Sequence, residues 1–148
     1  MAGPTDTAIR ELLDRSAIRD LLLRYAQGVD RRDLTLVAAC FVPGAAYEGS
    51  LGHGTIETAL DGLHARMSRY TSTMHFIGNQ HIELDGDRAT SETYALAYHQ
   101  FEADGLPQLR IVAVRYFDEL VRRGDAWRIC RRLVKMDWQR TDRLDAPP

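Results

Sequence analysis

A chain of 148 residues, 45% hydrophobic and 27% charged, has the size and make-up of one globular domain, long enough to bury a core and enclose a small cavity. Nineteen basic side chains against 21 acidic ones leave a formal net charge of −2. That balance excludes the dense positive field of a nucleic-acid or acidic-lipid binder, and Arg122-Arg123 and Arg131-Arg132 are too short to make a patch.

The first third of the chain reads as helical. Thr5 to Leu13 predicts a short helix after Pro4, and a longer one starts at Ser16. Ile18, Leu21, Leu22, Tyr25 and Val29 fall on one face of that second helix, with Arg19, Asp20, Arg24 and Gln27 opposite. Asp33 is placed to cap a further helix, Leu34 to Phe41, stopped by Pro43-Gly44. Ala45 to Glu48 reads as a short strand, and Gly49, Gly52 and Gly54 as a loop. Thr55 opens a helix to about Tyr70, with Ile56, Ala59, Leu60, Leu63 and Met67 on one side. From residue 72 the pattern becomes extended: Thr73–Leu84, Arg88–Glu102, Leu109–Arg122 and Ala126–Trp138, separated by turns rich in Gly and Asp. Gln139 to Pro148 reads as a polar, frayed tail, so the ordered core of a single domain spans about 8–138.

Helices followed by an antiparallel meander argue an α+β fold. A strongly curved antiparallel sheet with the N-terminal helices on its concave face would enclose a pocket. Cys40 and Cys130 lie far apart outside any CxxC, which argues against a zinc or redox site; both sit in apolar stretches and read as buried small hydrophobes. Met1 leads into an amphipathic helix without a signal-peptide pattern, and no apolar run nears the ~20 residues a membrane span needs. The expectation is a soluble, cytoplasmic protein without a membrane partner.

The residues that could carry chemistry are polar groups at inward positions, because burying them unpaired is costly. Tyr25 and Asp30 lie five residues apart near a helix end, their directions differing by more than ~100°. They meet on one face only if the helix loosens at Gly28. His75 opens the first long strand on a face with Thr73, Ile77, Asn79 and His81. His99 lies with the small residues Ala95 and Ala97, which leave room for a cavity. Arg132, on a face with Arg128, Cys130 and Val134, needs a carboxylate partner, for which Asp30 is a candidate. Taken singly, each has an ordinary structural reading. Together they suit proton abstraction: an Asp beside a His holds one ring nitrogen and raises its basicity, while Tyr and Arg handle an oxygen or developing anion. No HExxH, P-loop, GxGxxG or GxSxG pattern is present, so neither a metal nor a cofactor is expected.

The stretch Ile18–Asp33 (IRDLLLRYAQGVDRRD) resembles the opening helix of SnoaL-like proteins. Gly54-Thr55-Ile56, Met74-His75-Phe76-Ile77-Gly78-Asn79, Trp127-Arg128-Ile129 and Arg131-Arg132 fit the same family in order and spacing. The resemblance covers about residues 8–138 and implies a cone-shaped α+β barrel. Among its members, the pattern is similar to scytalone dehydratase, the bacterial bile-acid dehydratase and hexachlorocyclohexane dehydrochlorinase, lyases that use an Asp–His dyad and no cofactor. It puts the dyad on Asp30 and His75, a helix Tyr on Tyr25 and a last-strand Arg on Arg132. Tyr47 and His99 match a further Tyr and His. The Asp–Arg–Asp pattern of epoxide hydrolases ranks low, since no second inward Asp is expected. The implied protein is a lyase or dehydratase acting on a cyclic, largely apolar hydroxylated or carbonyl compound. Its alternatives are an isomerase or cyclase with the same dyad, or a non-catalytic binding module. Pocket walls are expected from Phe41, Tyr47, Met67, Ile77, Tyr94, Val112, Val114 and Met136. A homo-oligomer is expected, a trimer favoured over a dimer.

Overall fold

A computed structural model describes residues 4–145. Helix α1 runs unbroken from Pro4 to Arg31, merging the two helices expected there. No Gly or Pro interrupts it before Gly28. Its buried stripe is the predicted one, Ile18, Leu21, Leu22, Tyr25 and Val29, whereas Ile9, Leu12 and Leu13 in its first turns stay exposed. Helix α2 is shorter than expected, Leu34–Ala38, with Asp33 as its cap accepting from the Leu36 N–H at 2.9 Å. Phe41 therefore opens a strand instead of closing a helix.

Strand β1, Phe41–Gly49, turns back into β2, Gly52–Thr55, so the glycines read as a loop form a hairpin. Helix α3 spans Ile56–Met67 and buries Ile56, Ala59, Leu63 and Met67. The meander follows: β3 Ser72–Asp85, β4 Arg88–Ala103, β5 Leu106–Arg123 and β6 Ala126–Arg143. Residues 139–143, expected as a frayed tail, are the end of β6, hydrogen-bonded along β5.

The six strands are ordered β2-β1-β6-β5-β4-β3. The sheet is mixed, not wholly antiparallel as expected, because β1 pairs with β6 in parallel. It is not closed into a barrel.

Two strands change phase at bulges. Gly78 and Asn79 of β3 together face Tyr94, so the inward set shifts from Thr73, His75, Ile77 to Gln80, Ile82, Leu84. Asn79 and His81 thus leave the face on which the uninterrupted alternation placed them. In β6, Cys130 is unpaired between Ile129 and Arg131. Buried Trp127 and Ile129 precede it, and buried Arg132 follows. Cys130 is only half-buried, unlike fully buried Cys40.

One polar anchor fixes α1 on the sheet. Asp14 accepts from the Arg122 guanidinium at 2.6 Å and from the Trp127 indole at 3.0 Å. The Arg122 hydrogen bond outweighs the effect of burial and holds the Asp14 carboxyl below its usual range. Among the described residues no helix is long and apolar enough to cross a membrane.

Candidate active site

The last turn of α1 lies against the start of β3, and there Asp30 meets His75. Asp30 Oδ1 accepts from the His75 ring Nδ1–H at 2.7 Å and from the Thr73 hydroxyl at 2.9 Å; Oδ2 accepts from the His75 backbone N–H at 2.9 Å. The carboxylate thus holds the histidine by ring and backbone at once. Burial alone would raise the Asp30 pKa. The hydrogen bonds from the His75 ring and backbone, its charge and the Thr73 hydroxyl outweigh that and lower it. With Nδ1 donating to an ionised carboxylate, the neutral imidazole keeps its lone pair on Nε2, the nitrogen left for the pocket. The His75 side chain is only 7% exposed.

Asp30 needs no loosening of the helix to do this. The helix stays regular through Gly28; Tyr25 points into the core while Asp30 points to β3. Gly28 serves close approach instead: a Cβ there would lie 2.8 Å from a Val37 methyl and 3.1 Å from the Val37 backbone nitrogen.

His75 lines a cavity of about 320 Å³. Tyr25 and Val29 of α1, Tyr47 of β1, Met67 of α3, Ala97 and His99 of β4, Val112 and Val114 of β5, and Val134 and Met136 of β6 share it. Strands β1 to β3 would span about 19 Å if flat, at ~4.8 Å between neighbours. A cavity about 8 Å across touches all of them only because the sheet curls around it.

Of the expected lining, Tyr25, Tyr47, Met67, His75, His99, Val112, Val114 and Met136 are brought together. Three are not. Tyr94 is 42% exposed on the opposite face, under the Arg115 guanidinium, because its position in β4 is out of phase with Ala95, Ala97 and His99. Phe41 is buried behind the wall, edge-on to Tyr25 at 6.0 Å. Ile77 packs against the core outside the lining.

Arg132 is also not a lining residue, and its partner is not Asp30. It is fully buried and forms a two-pronged pair with Asp118, Nε at 2.7 Å and Nη2 at 2.8 Å. Its guanidinium carbon sits 4.2 Å over the Tyr25 ring, 4.4 Å over Tyr116 and 5.3 Å over Phe41. Asp118 is thus a second inward Asp that the sequence reading missed. Its signal was available: Val112, Val114, Tyr116, Asp118 and Leu120 alternate on one face of β5. Asp118 does not complete an epoxide-hydrolase triad at the cavity, because neither it nor Arg132 lines it.

His99 stands edge-on to His75 at 5.9 Å and against Tyr70 at 4.6 Å. Burial, then the neighbouring charge of His75 and of the arginines, pushes its pKa down to about 4, so it is neutral near pH 7. Its Nδ1 is buried without a partner. Burial raises the pKa of both Tyr25 and Tyr47, so their hydroxyls stay protonated and able to donate. Arg66, Arg110, Tyr70 and Tyr116 line the cavity as well and were not foreseen.

The chain is thus an α+β pocket fold, an open sheet curled around a largely apolar cavity with the Asp30–His75 pair in its wall. The SnoaL-like domain matches residues 10–133, and the chain belongs to that family. An uncharacterised protein of Mycobacterium tuberculosis is 28% identical over 142 residues, covering 90% of this chain and 92% of its own. Among solved structures, a hexachlorocyclohexane dehydrochlorinase, LinA type 2, superposes with a TM-score of 0.79 at 24% identity, over 95% of this chain and 98% of its own. A protein from Novosphingobium aromaticivorans, provisionally called a scytalone dehydratase, gives 0.79 at 20% identity, over 92% of each chain. At these identities the likeness speaks for the fold.

Proposed function

We propose that this protein is a cofactor-independent lyase of the dehydratase type. Its substrate is a cyclic, largely apolar small molecule bearing a hydroxyl and a carbonyl. The observation that carries this reading is the Asp30–His75 pair at 2.7 Å, buried at the wall of an apolar cavity. A solvated or unpaired His75 would have favoured a binding module.

In the proposed reaction His75 Nε2 removes a proton from carbon next to the carbonyl. Asp30 keeps the imidazole in the tautomer that can accept and offsets the positive charge formed on it. The electron pair left on carbon forms the new double bond as the hydroxyl departs. A proton from a pocket donor, Tyr25 or Tyr47, turns that hydroxyl into water, and the imidazolium returns the proton to the donor. Arg132, behind the Tyr25 ring, acts on that tyrosine and not on the substrate. The dehydratase and dehydrochlorinase names among the structural neighbours support a lyase chemistry. Two free cysteines suit a reducing, cytoplasmic setting.

The test is a panel of cyclic β-hydroxy ketones followed by the absorbance of the conjugated product. Wild-type protein is expected to turn over at least one member, with His75→Ala and Asp30→Asn each inactive and unchanged in far-UV circular dichroism. Turnover that survives either substitution sinks the dyad. Deuterium uptake from solvent without loss of water would make the protein an isomerase using the same pair.

A further inference from the structure

We propose that the molecule held in this cavity carries a carboxylate on its apolar ring body, gripped at the mouth by Arg66 and Arg110. The inference rests on the reading of the cavity as a substrate site and adds the charge of what it takes.

The lining contains two guanidinium groups and no carboxylate side chain. Arg66 comes from the last turn of α3 and Arg110 from β5. Neither has an acidic partner among the described residues. Arg66 donates to the Ser50 hydroxyl at 2.9 Å and to the Ser50 carbonyl at 2.6 Å; Arg110 donates from Nε to the Gln139 amide oxygen at 3.0 Å. Arg115, Arg122 and Arg132 are paired with carboxylates, whereas half-buried Arg15 and Arg128 donate to backbone carbonyls away from the cavity, so what sets Arg66 and Arg110 apart is that their uncancelled charges line it. The neutral partners hold both pocket arginines in place, leave each with free N–H donors, and cancel none of the charge. His99 lies on the same side, and both guanidiniums depress its pKa. It therefore adds a neutral polar group, with an unpartnered nitrogen, to the region an anion would occupy.

Strand register fixes the spacing. His75, Ala97 and Val112 form one row across the sheet; Thr73, His99 and Arg110 form the next row on the same face. Two residues of strand separate these rows by about 7 Å. Arg110 also lies two strands over from His75, about 10 Å at ~4.8 Å per strand, so the two backbones stand about 12 Å apart and their side chains reach into the cavity between them. Two planar forks suit a planar carboxylate, and an ionised group at the mouth leaves the ring in the apolar interior.

The test is equilibrium binding to the intact protein by calorimetry, with three probes: 2-naphthoate, 2-naphthalenemethanol and 2-naphthyl phosphate. The carboxylate is expected to bind at least tenfold tighter than the alcohol at low salt. Arg110→Gln and Arg66→Gln should each weaken the carboxylate fivefold or more and move the alcohol less than twofold. Because Arg66 also holds the Ser50 turn, Arg110→Gln is the decisive variant, with circular dichroism as the check on folding. Equal affinity for acid and alcohol, a carboxylate affinity indifferent to Arg110→Gln, or tighter binding of the phosphate ester would each overturn the proposal. His75→Ala should keep the preference for the acid, so a failed lyase assay and a failed anion site give different results. Loss of that preference in His75→Ala would assign the anion to His75 and overturn the arginine clamp.

Discussion

Arg132 carries a full charge at 0% exposure, with its Nη1 unpaired by any hydrogen bond and three aromatic rings around it. Asp118 is what makes this tolerable. Removing one partner of a buried pair leaves the other charge stranded, which costs about 3–5 kcal/mol. Asp118→Ala is therefore expected to lower unfolding free energy by about that amount in urea titrations. Asp118→Leu combined with Arg132→Met should cost clearly less than the sum of the single changes, because both charges leave together. A double variant as unstable as the sum would show that the pair is not coupled. At this scale the pairing of Asp30 with His75, 45 residues apart, was legible only through the family resemblance, since each residue taken singly has an ordinary structural reading. The Arg132 partner was misread although β5 was expected beside β6, because the bulge at Cys130 is what brings Arg132 opposite Asp118.

At the scale of elements, close approach governs the site more than flexibility does. Gly28 lets α2 fold back onto α1, and two residues later, in the last turn of α1, stands the carboxylate that holds His75. Gly28→Ala gains about 1 kcal/mol of helix propensity. It also forces a methyl against Val37, whose backbone cannot step aside, at about 1–3 kcal/mol for overpacking. The expected net result is a modest loss of stability, about 1 kcal/mol of unfolding free energy in urea titrations, together with reduced turnover from a displaced Asp30. A variant more stable than wild type with full turnover would show that α2 yields freely. Element type was readable from periodicity throughout β3 to β6. Phase was not readable past Gly78 or Cys130, because a bulge adds one residue without changing composition. That is why Asn79 and His81 were assigned to the wrong face, whereas Ala95, Ala97 and His99, on a strand without a bulge, were assigned correctly.

At the scale of the whole molecule, the helices-then-strands order made the α+β class legible, and the mixed sheet was not. A meander is written in its turns; the parallel β1–β6 pairing is written nowhere locally, since more than half the chain separates Phe41 from Ile129. This seam has a temporal consequence. Strands β3 to β6 zip together through short turns, whereas β1 can dock only after β6 exists, so the segment from β1 to α3 joins last. Its register on β6 is also irregular between Phe41 and Ala46. That late-joining segment carries Tyr47, Ser50, Leu51, Leu63, Arg66 and Met67, a third of the residues lining the cavity. The pocket should therefore breathe by transient release of this segment while the meander stays intact. Amide hydrogens of β1 and α3 are expected to exchange with deuterated water at least tenfold faster than those of β4 and β5, and to slow when a ligand fills the cavity. Uniform protection across the sheet would mean that the seam opens only with the whole fold.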